Sequence, residues 1–286
     1  MVELSIVVPI YNEEKAIQEF LKKLKDALKN VKISHEIIAV DDASSDKTYE
    51  RLKEVKGLRV IRHPYNKGYG ASLKTGARNS KGSYVLFIDG DGEHDPKNIP
   101  KLTKYRKTYD MVVGARKFYS STPRMIAKKI ITGLANYVSE VKIPDLNCGL
   151  RLVKRDILLN YLDSLPNRFS FTSTITMIFI KSGYSIKYVP VNILKRKGKS
   201  KINPVKDFIN FLVLVMKTSL IFSPLKIFLP VSLLFFILGM GYLVYYIVLY
   251  ADVPDSAIFL LTTSIIIFFF GFISDQISSL KLSKGA

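Results

Sequence analysis

The sequence contains no tryptophan, a single cysteine and only 24 acidic residues against 43 basic ones in a chain of 286. One cysteine, Cys148, excludes a disulfide framework within the chain and suits a reducing compartment. The shortage of acids leaves a formal net charge of +19, which favours polyanionic partners: nucleic acid, an anionic membrane surface or phosphorylated substrates. The stretch MVELSIVVPI has no basic start and only a short apolar run, so it predicts a first β-strand rather than a signal peptide.

Charge is absent from two long runs near the C-terminus. Residues 227–250 hold 24 consecutive uncharged residues, and residues 256–274 hold 19. At about 1.5 Å per residue the first run reaches about 36 Å as a helix, enough to cross a bilayer core of about 30 Å. The short acidic stretch ADVPD joins the runs, so residues 226–286 are predicted to form a transmembrane hairpin, with a pair of buried core helices as the alternative.

The charges beside these runs predict the orientation of the chain. The stretch KRKGKSKINPVK (195–206) precedes the hairpin, and Lys281 and Lys284 follow its second run. The loop between the runs carries only Asp252 and Asp255. The positive-inside rule therefore places both termini in the cytosol, as part of an integral protein of a cell membrane or endomembrane.

A segment with a broad apolar face and one polar edge precedes the hairpin, at residues 204–225. Its place between a basic loop and a membrane span favours an interfacial amphipathic helix, and an ordinary packed helix is the alternative. The predicted organisation is a cytosolic catalytic domain at 1–203, this juxtamembrane helix, and the hairpin at 226–286. The hairpin also offers a surface for self-association into a homo-oligomer.

Strand and helix patterns alternate through the first part of the chain. Strands are predicted at residues 4–9, 35–42, 58–62, 83–88 and 109–116, with helical segments between them. Asn12 is the predicted N-cap of the first helix, whose apolar face comprises Ile17, Phe20, Leu21, Leu24 and Leu28. Repeated βα units predict an α/β fold, a mostly parallel sheet with helices on both faces.

Carboxylates follow three of the predicted strands. The first strand ends in PIYNEE (9–14), the second in Asp41 and Asp42, and the fourth in Asp89-Gly90-Asp91. Ligands of open α/β sheets bind in the crevice beyond the carboxyl ends of the strands. One acidic strand end is usually a solvated turn, whereas three together favour a functional site.

The pair Asp89 and Asp91, in VLFIDGDGEHDP (85–96), is typical of a site for a hard cation. Carboxylate oxygens suit Mg²⁺ or Mn²⁺, which keep some waters and are completed by substrate phosphates. A zinc site is disfavoured, because His94 and Cys148 lack the clustered spacing of zinc ligands. A cation between these acids and a diphosphate also explains why a basic chain gathers carboxylates here.

The glycines of NKGYGASLKTG (66–76) match neither common nucleotide motif. Position 73 is leucine, so G-x-G-x-x-G is incomplete, and the phosphate-binding G-x-x-x-x-G-K-[ST] pattern is missing from this stretch. A flexible turn and a close approach of the backbone to a nucleotide both remain open.

Taken in order, these motifs resemble the inverting GT-A glycosyltransferases of family 2. Within that family the chain looks like the polyprenyl-phosphate sugar transferases, such as dolichyl-phosphate mannose or glucose synthases. The resemblance covers residues 4–210, and each motif alone is weakly specific, whereas seven in order are strongly specific. The motifs are PIYNEE (9–14), VDDASSD (40–46), NKGYGAS (66–72), DGDGEHDP (89–96), GAR (114–116), DLNCGLRL (145–152) and GKSK (198–201).

The resemblance implies a role for each matching residue. The implied nucleotide-sugar contacts are Pro9, Tyr11, Glu13, Asp41, Asp42, Lys67, Asp89 and Asp91. The implied catalytic residues are Asp89, Asp91, Arg116 and Arg151, and the implied metal ligands are Asp89, Asp91 and Glu93. The implied contacts of the acceptor phosphate are Asp145, Arg151, Lys195, Arg196, Ser200 and Lys201. Lysine stands at 195 where the family has arginine, so the choice between Lys195 and Arg196 stays open, as does simple attraction of this stretch to anionic lipid.

The implied reaction is metal-dependent hexosyl transfer, with inversion, from a GDP- or UDP-linked sugar to dolichyl or undecaprenyl phosphate. A lipid phosphate is already ionised and needs little help from a general base, and Asp145 is interpreted as shaping the acceptor side. A sugar hydroxyl or a glycolipid is the alternative acceptor and would require a base.

Other classes fit the sequence less well. A processive synthase would carry Q-x-x-R-W, but there is no tryptophan and the only glutamines are Gln18 and Gln276. A non-catalytic membrane tether would not need the paired aspartates. No nucleic-acid partner is expected, because no recognition helix, zinc motif or RNP-like aromatic pattern accompanies the positive charge.

Overall fold

The computed structural model describes residues 2–116, 133, 136–137, 141–168, 171–194, 216, 220 and 223–283. The chain divides into two compact units, one formed by Met1–Thr132 with Val141–Pro204 and the other by Gly133–Glu140 with Val205–Ala286. Most of the juxtamembrane helix predicted at 204–225 lies outside the described residues. Four predicted acceptor-phosphate residues also lie outside them: Lys195, Arg196, Ser200 and Lys201.

A seven-stranded mixed sheet forms the centre of the first unit. Its strands are β1 (Leu4–Ile10), β2 (His35–Asp41), β3 (Arg59–Arg62), β4 (Tyr84–Phe87), β5 (Met111–Arg116), β6 (Arg151–Lys154) and β7 (Ile186–Val191). Their order across the sheet is β3-β2-β1-β4-β6-β5-β7. All neighbouring pairs are parallel except those of β6, which runs antiparallel to both β4 and β5. The predicted, mostly parallel sheet is therefore confirmed, with one reversed strand inserted between two expected neighbours.

The helices of this unit follow the strands in the predicted alternation. They are α1 (Ile17–Leu28), α2 (Thr48–Lys53), α3 (Tyr69–Arg78), α4 (Ile99–Thr103), α5 (Arg155–Tyr161) and α6 (Phe171–Lys181). The five apolar residues expected on one face of α1 are all buried. The predicted N-cap is wrong, because α1 begins at Ile17 and its N-cap residue is Ala16. Asn12 instead has a left-handed backbone, with φ 53°, and accepts a hydrogen bond from the backbone of the β2–α2 loop.

Strand β6 was not predicted as a strand, although it lies near the middle of the sheet. It pairs with β4 on one side, with Leu86 opposite Leu152, and with β5 on the other, with Val112 opposite Leu152. Three of its four residues are buried, Arg151 among them. Its position brings the DLNCGLRL segment, which leads into β6, beside the ends of β4 and β5.

The second unit contains two long apolar helices, α7 (Leu225–Tyr250) and α8 (Asp255–Ser283). Each is long and apolar enough to cross a membrane, since an 18-residue window within Leu225–Tyr250 has a mean hydropathy of 2.3 and one within Asp255–Leu280 has 2.4. Ala251 ends α7 with a left-handed backbone, φ 51°, which helps the chain to reverse. The second helix continues beyond the predicted end at residue 274.

Small residues allow α7 and α8 to pack closely. The hydroxyl of Ser232 donates to the carbonyl of Ser264 at 3.0 Å, and the hydroxyl of Ser264 donates to the carbonyl of Ser232 at 2.8 Å. A Cβ added at Gly271 would press against the side chain of Phe228, so the glycine is needed for this approach. Most large apolar side chains of both helices are exposed on the remaining faces, as expected for a surface that meets lipid.

Candidate active site

A cleft of about 340 Å³ lies beyond the carboxyl ends of β1, β2 and β4, where open α/β sheets place their ligands. It brings together six of the residues predicted from the sequence: Pro9, Tyr11, Glu13, Asp42, Asp89 and Asp91. Six further residues complete the wall: Ile10, Asn66, Gly68, Tyr69, Ser72 and Gly90. The three acidic strand ends therefore surround one cavity.

The loop after β1 is fixed to the loop after β2 by hydrogen bonds. The backbone N–H of Asn12 donates to the Ser44 hydroxyl at 3.0 Å, and that of Glu13 donates to the Thr48 hydroxyl at 2.9 Å. In return the Asn12 side-chain oxygen accepts the backbone N–H of Ser45 at 2.8 Å. This side of the cleft is held in place by the protein itself, because side chains satisfy the backbone groups of both loops.

The structure separates the roles of two adjacent carboxylates, Asp41 and Asp42. Asp41 is fully buried away from the cleft and lies 3.2 Å from Nε of Arg62. Both Asp41 oxygens also accept the backbone N–H of Ser44. Asp41 does not line the cleft and shapes the β2–α2 loop, and the nucleotide contact that the resemblance implies for it stays a prediction.

Asp42 lines the cleft and organises the loop between β3 and α3. Its oxygens accept the backbone N–H groups of Lys67 and Gly68, each at 2.8 Å, and Nδ1 of His63 lies 2.7 Å from Oδ1. Lys67 joins the site through its backbone, and its ammonium lies over the ring of Tyr65, 5.5 Å from the centroid. Asp42 therefore shapes the wall of the cleft by holding the loop.

Asp89 is held from several directions at the end of β4. Its Oδ1 accepts the hydroxyl of Tyr69 at 2.8 Å, and its Oδ2 lies 3.6 Å from Nε2 of His94. Gly149 packs directly against this carboxylate, and a Cβ added at Gly149 would overlap it. Burial, together with the negative charge of Asp89, raises the pKa of Tyr69 well above its usual value, so the phenol stays protonated and donates.

Asp91 lies on a wall shared by the main cleft and a second cavity of about 270 Å³. Its Oδ1 accepts the backbone N–H of Glu93 at 3.0 Å, which orients the carboxylate. The Glu93 side chain faces Arg116, with Oε1 3.9 Å from Nη1, so its carboxylate points toward a guanidinium of the protein.

Asp89 and Asp91 fit a hard divalent cation whose remaining ligands are supplied by water and substrate. Within the described residues, no group of three or more His, Cys, Asp and Glu side chains is arranged to hold a metal. Mg²⁺ and Mn²⁺ are commonly bound through one or two carboxylates together with waters and substrate phosphates. Two carboxylates on the wall of a cleft match this pattern, and they do not match a closed structural zinc site.

Arg116 and Asp145 form a bidentate ion pair. Nε of Arg116 donates to Oδ2 of Asp145 at 2.8 Å, and Nη2 donates to Oδ1 at 3.0 Å. Burial alone would raise the pKa of Asp145, but the hydrogen bonds and charge of Arg116 outweigh it and lower that pKa. These two residues, which the sequence places near the phosphates, neutralise one another and fix the segment before β6 to the end of β5.

Arg151 is buried and does not line the cleft. Its side chain is 0% exposed. Nη2 and Nε donate to the carbonyl of Cys148, at 2.6 and 3.1 Å, and Nη1 donates to the carbonyl of Thr172 at 2.7 Å. In this structure its donors bind backbone carbonyls, and the catalytic and acceptor contacts that the resemblance implies for Arg151 stay predictions. Arg151 positions the loop that carries Gly149.

The sequence interpretation missed Tyr69, Gly149 and His63, although two of them lie inside motifs that it identified. Tyr69 stands in NKGYGAS and Gly149 in DLNCGLRL, but their roles depend on contacts with Asp89, which is distant in sequence. His63 follows the short strand β3, and no sequence pattern distinguishes it from a surface histidine. Only the tertiary structure brings these residues to the wall of the cleft or into contact with residues that line it.

Comparison with known sequences gives the family of this site. The profile described as Glycosyl transferase family 2 matches residues 5–162, which contain the whole wall of the cleft. The chain belongs to glycosyl transferase family 2. A second profile, described as the GtrB C-terminal hairpin, matches residues 223–280 and covers α7 and most of α8. The family and the accessory hairpin expected from the sequence are thus confirmed.

Several relatives within the family have curated names. An uncharacterized protein of Methanocaldococcus jannaschii is 32% identical over 67% of this chain and 82% of its own length. An undecaprenyl-phosphate 4-deoxy-4-formamido-L-arabinose transferase of Edwardsiella ictaluri is 30% identical over 78% of this chain and 69% of its own. A dodecaprenyl-phosphate galacturonate synthase of Rhizobium johnstonii is 31% identical over 54% of this chain and 49% of its own. The last two are named as polyprenyl-phosphate sugar transferases.

Solved structures support the fold. Glucosyl-3-phosphoglycerate synthase of Mycobacterium tuberculosis, in complex with Mn²⁺ and UDP-glucose, superposes with a TM-score of 0.61. The superposition covers 76% of this chain and 79% of the synthase, at 18% sequence identity. At this identity the likeness establishes the fold alone, and it confirms the predicted GT-A architecture of the family.

Proposed function

We propose that this family member is a membrane-bound, metal-dependent, inverting hexosyltransferase. It transfers a sugar from a nucleotide-diphosphate sugar to a polyprenyl phosphate at the cytosolic face of a membrane. One observation carries the proposal: a carboxylate-lined cleft and a hairpin of two bilayer-length helices occur in the same chain. A polyprenyl phosphate is a substrate that requires both, since its lipid lies in the bilayer and its phosphate lies at the surface. Relatives named as undecaprenyl-phosphate transferases support the same substrate class.

The nucleotide occupies the side of the cleft formed by the β1 and β2 loops. Tyr11 is 46% exposed although it lines the cavity, so its ring offers a face on which a base stacks. Pro9 and Glu13 lie beside it, and the loop held by Asp42 closes the other side. The cleft volume of about 340 Å³ lies in the range typical of small-molecule sites.

The diphosphate and the sugar lie near Asp89 and Asp91. These carboxylates would hold Mg²⁺ or Mn²⁺, which when bound offsets the charge that grows on the departing nucleoside diphosphate. Tyr69 and Gly149 keep Asp89 in position, since one donates to the carboxylate and the other leaves space for it. An oxygen of the acceptor phosphate attacks the anomeric carbon in line with the departing diphosphate, and the configuration inverts.

The lowered pKa and the hydrogen bonds of Asp145 favour a phosphate acceptor over a sugar hydroxyl. A general base works best when its pKa is near the operating pH. The pKa of Asp145 is lowered and its oxygens already accept hydrogen bonds from Arg116, so Asp145 is a poor proton acceptor. A phosphate monoester has its second pKa at about 6, so it is largely ionised at neutral pH and attacks without a base. A hydroxyl of a sugar or glycolipid, the alternative acceptor, would require one.

The acceptor phosphate is assigned to the basic segment that follows β7. Lys195, Arg196, Ser200 and Lys201 remain the proposed contacts, as the sequence resemblance implies. The proposed domain organisation is the one predicted from the sequence. It comprises a cytosolic catalytic domain at 1–203, an interfacial helix at 204–225 and the hairpin at 226–286.

The proposal is tested by sugar transfer with the full-length protein in liposomes. A panel of UDP- and GDP-sugars is combined with polyprenyl phosphate, with Mg²⁺, with Mn²⁺ or with a chelator. We expect metal-dependent transfer from one donor, an inverted anomeric configuration in the product, and a loss of at least about 100-fold in Asp91→Ala. The matched control is Asp26→Ala, an exposed carboxylate of α1 paired with Lys29, which should retain full activity.

Other outcomes separate the parts of the proposal. Transfer to a sugar hydroxyl would replace the acceptor and retain the nucleotide-sugar site. Retention of configuration would contradict the in-line displacement. Failure to bind any nucleotide-sugar would overturn the proposed function as a whole.

A further inference from the structure

His63 is a buried histidine that lies outside the cleft and yet connects to its wall. It follows β3 and is only 5% exposed. Its Nδ1 lies 2.7 Å from Oδ1 of Asp42, and its Nε2 lies 2.9 Å from the hydroxyl of Thr75 in α3. Because an ionised carboxylate only accepts hydrogen bonds, Nδ1 donates to Asp42, and in the neutral ring Nε2 accepts from Thr75. The ring therefore links the end of β2 to a helix.

The same Asp42 carboxylate holds the loop between β3 and α3. Oδ1 accepts the backbone N–H of Lys67 as well as His63, and Oδ2 accepts that of Gly68. A continuous chain of hydrogen bonds thus runs from Thr75 through His63 and Asp42 to this loop. Asp42 is only 3% exposed, so these donors take the place of water around its carboxylate.

The loop has little freedom to shift without consequences for the cleft. Directly after the loop, in the first turn of α3, a Cβ added at Gly70 would overlap the carbonyl of Pro166, and the backbone N–H of Ala71 donates to the carbonyl of Asn167 at 2.7 Å. Asn66, Gly68 and Tyr69 all line the cleft. A displaced loop would move Asn66 and Gly68, which lie within it, whereas Tyr69 already belongs to α3.

We propose that His63 is a positioning residue for the donor nucleotide, acting through Asp42 on the loop that contains Asn66 and Gly68. It touches no substrate, and its effect is to keep the nucleotide side of the cleft in its binding conformation before the donor arrives. The inference rests on the proposed function, since it assigns this side of the cleft to the nucleotide. It goes beyond that function by naming a residue outside the cleft that sets donor affinity.

The test compares variants of the full-length protein in detergent. His63→Leu removes both hydrogen bonds of the ring, His63→Asn keeps a donor near the position of Nδ1, and Thr75→Val removes only the distal hydroxyl. The matched control is His35→Leu, an exposed histidine at the start of β2 whose ring contacts the carbonyl of Ile33. Affinities for UDP and GDP with Mg²⁺ are measured by calorimetry, and kcat and KM are measured for donor and acceptor separately.

A positioning role predicts a specific split of the kinetic constants. In His63→Leu we expect about tenfold weaker binding of whichever nucleotide the wild type binds, with donor KM raised by the same factor. The kcat at saturating donor and the KM for the acceptor should stay within about threefold of wild type. His63→Asn should recover most of the lost affinity, and His35→Leu should match wild type.

Contrary results are equally distinct. Unchanged nucleotide affinity in a folded His63→Leu would overturn the inference, and so would equal losses in donor KM, acceptor KM and kcat, which indicate a general structural defect. If His63→Leu does not fold, Thr75→Val decides: weaker nucleotide binding supports the inference and unchanged binding overturns it. If the wild type transfers sugar normally while these variants do not differ from it, the inference alone fails. If the wild type binds neither nucleotide, the proposed function fails with it.

Discussion

The sheet unit and the hairpin unit both use buried side-chain donors to bind backbone carbonyls, but the donors differ in kind. In the sheet unit the guanidinium of Arg151 binds the carbonyls of Cys148 and Thr172. In the hairpin unit the hydroxyls of Ser232 and Ser264 each bind the carbonyl of the other residue. One unit buries a charge that joins the irregular backbone at Cys148 to the first turn of α6, and the other joins two regular helices with neutral hydroxyls.

The difference follows from whether the backbone carbonyls have other hydrogen-bond donors. The carbonyl of Cys148 belongs to an irregular segment with no helical or strand ladder, so a side chain must satisfy it. The carbonyls of α7 and α8 already accept hydrogen bonds within their own helices, as membrane-spanning segments require. Loss of the donor should therefore matter greatly in the sheet unit and little in the hairpin.

Glycine shows the same contrast. Gly149 leaves space for the carboxylate of Asp89, whereas Gly271 leaves space for the side chain of Phe228. A larger residue at position 149 would displace the Asp89 carboxylate, which lines the cleft. A larger residue at position 271 would change only the packing of two apolar helices.

The largest effect is expected for Gly149→Ala. The added methyl group would overlap the Asp89 carboxylate and turn it from the Tyr69 hydroxyl, so transfer should fall by about 100-fold, as small misplacements at reacting centres do. The measurement is kcat/KM for sugar transfer, with thermal unfolding as the check on folding. The control is Gly241→Ala, because a Cβ at Gly241 meets nothing within 4 Å. A folded Gly149→Ala with normal kcat/KM would show that the position of Asp89 tolerates this change.

The sequence predicts most of the strand and helix alternation but not the complete order of the sheet. Strands β1 to β5 are found where the sequence pattern predicts them, including β3, which is only RVIR. Strand β6 departs from the repeated βα units because it runs antiparallel to both of its neighbours, and β7 contains Pro190. The insertion of β6 between β4 and β5 is decided by tertiary packing, which local patterns do not contain.

The sequence also predicts where the site lies better than it predicts what each residue does. Acidic strand ends indicate the cleft correctly, but Asp41 and Asp42 are adjacent, and only the structure shows which one lines it. Arg151 stands between Leu150 and Leu152 in an internal strand, so both faces of the strand are covered and the guanidinium is buried. The place of Arg151 within the DLNCGLRL motif therefore does not determine which groups its side chain contacts.

An intermediate effect on stability is expected for Arg151→Met. The change removes the donors to the carbonyl of Cys148, and a buried group left unsatisfied costs about 1–3 kcal/mol. The carbonyl of Thr172 keeps the hydroxyl of Thr176 as a donor. The free energy of unfolding, or the thermal midpoint where unfolding is irreversible, should fall accordingly. The matched control is Arg59→Met, an exposed arginine that also donates to a backbone carbonyl, that of Asn79. Equal effects of the two substitutions would remove the distinction between buried and exposed donors.

The smallest effect is expected for the serine pair of the hairpin. In a double-mutant cycle of Ser232→Ala and Ser264→Ala, the coupling energy should be about 0.6 kcal/mol, the average for hydrogen bonds between membrane helices. Unfolding of the full-length protein in bicelles by added detergent gives the four free energies required. The control is Thr262→Ala, whose hydroxyl donates to the carbonyls of Ile258 and Phe259 in its own helix and should show no coupling to Ser232. A serine coupling as large as the effect of Arg151→Met would mean that the hairpin depends on its hydroxyls as strongly as the sheet unit depends on its buried charge.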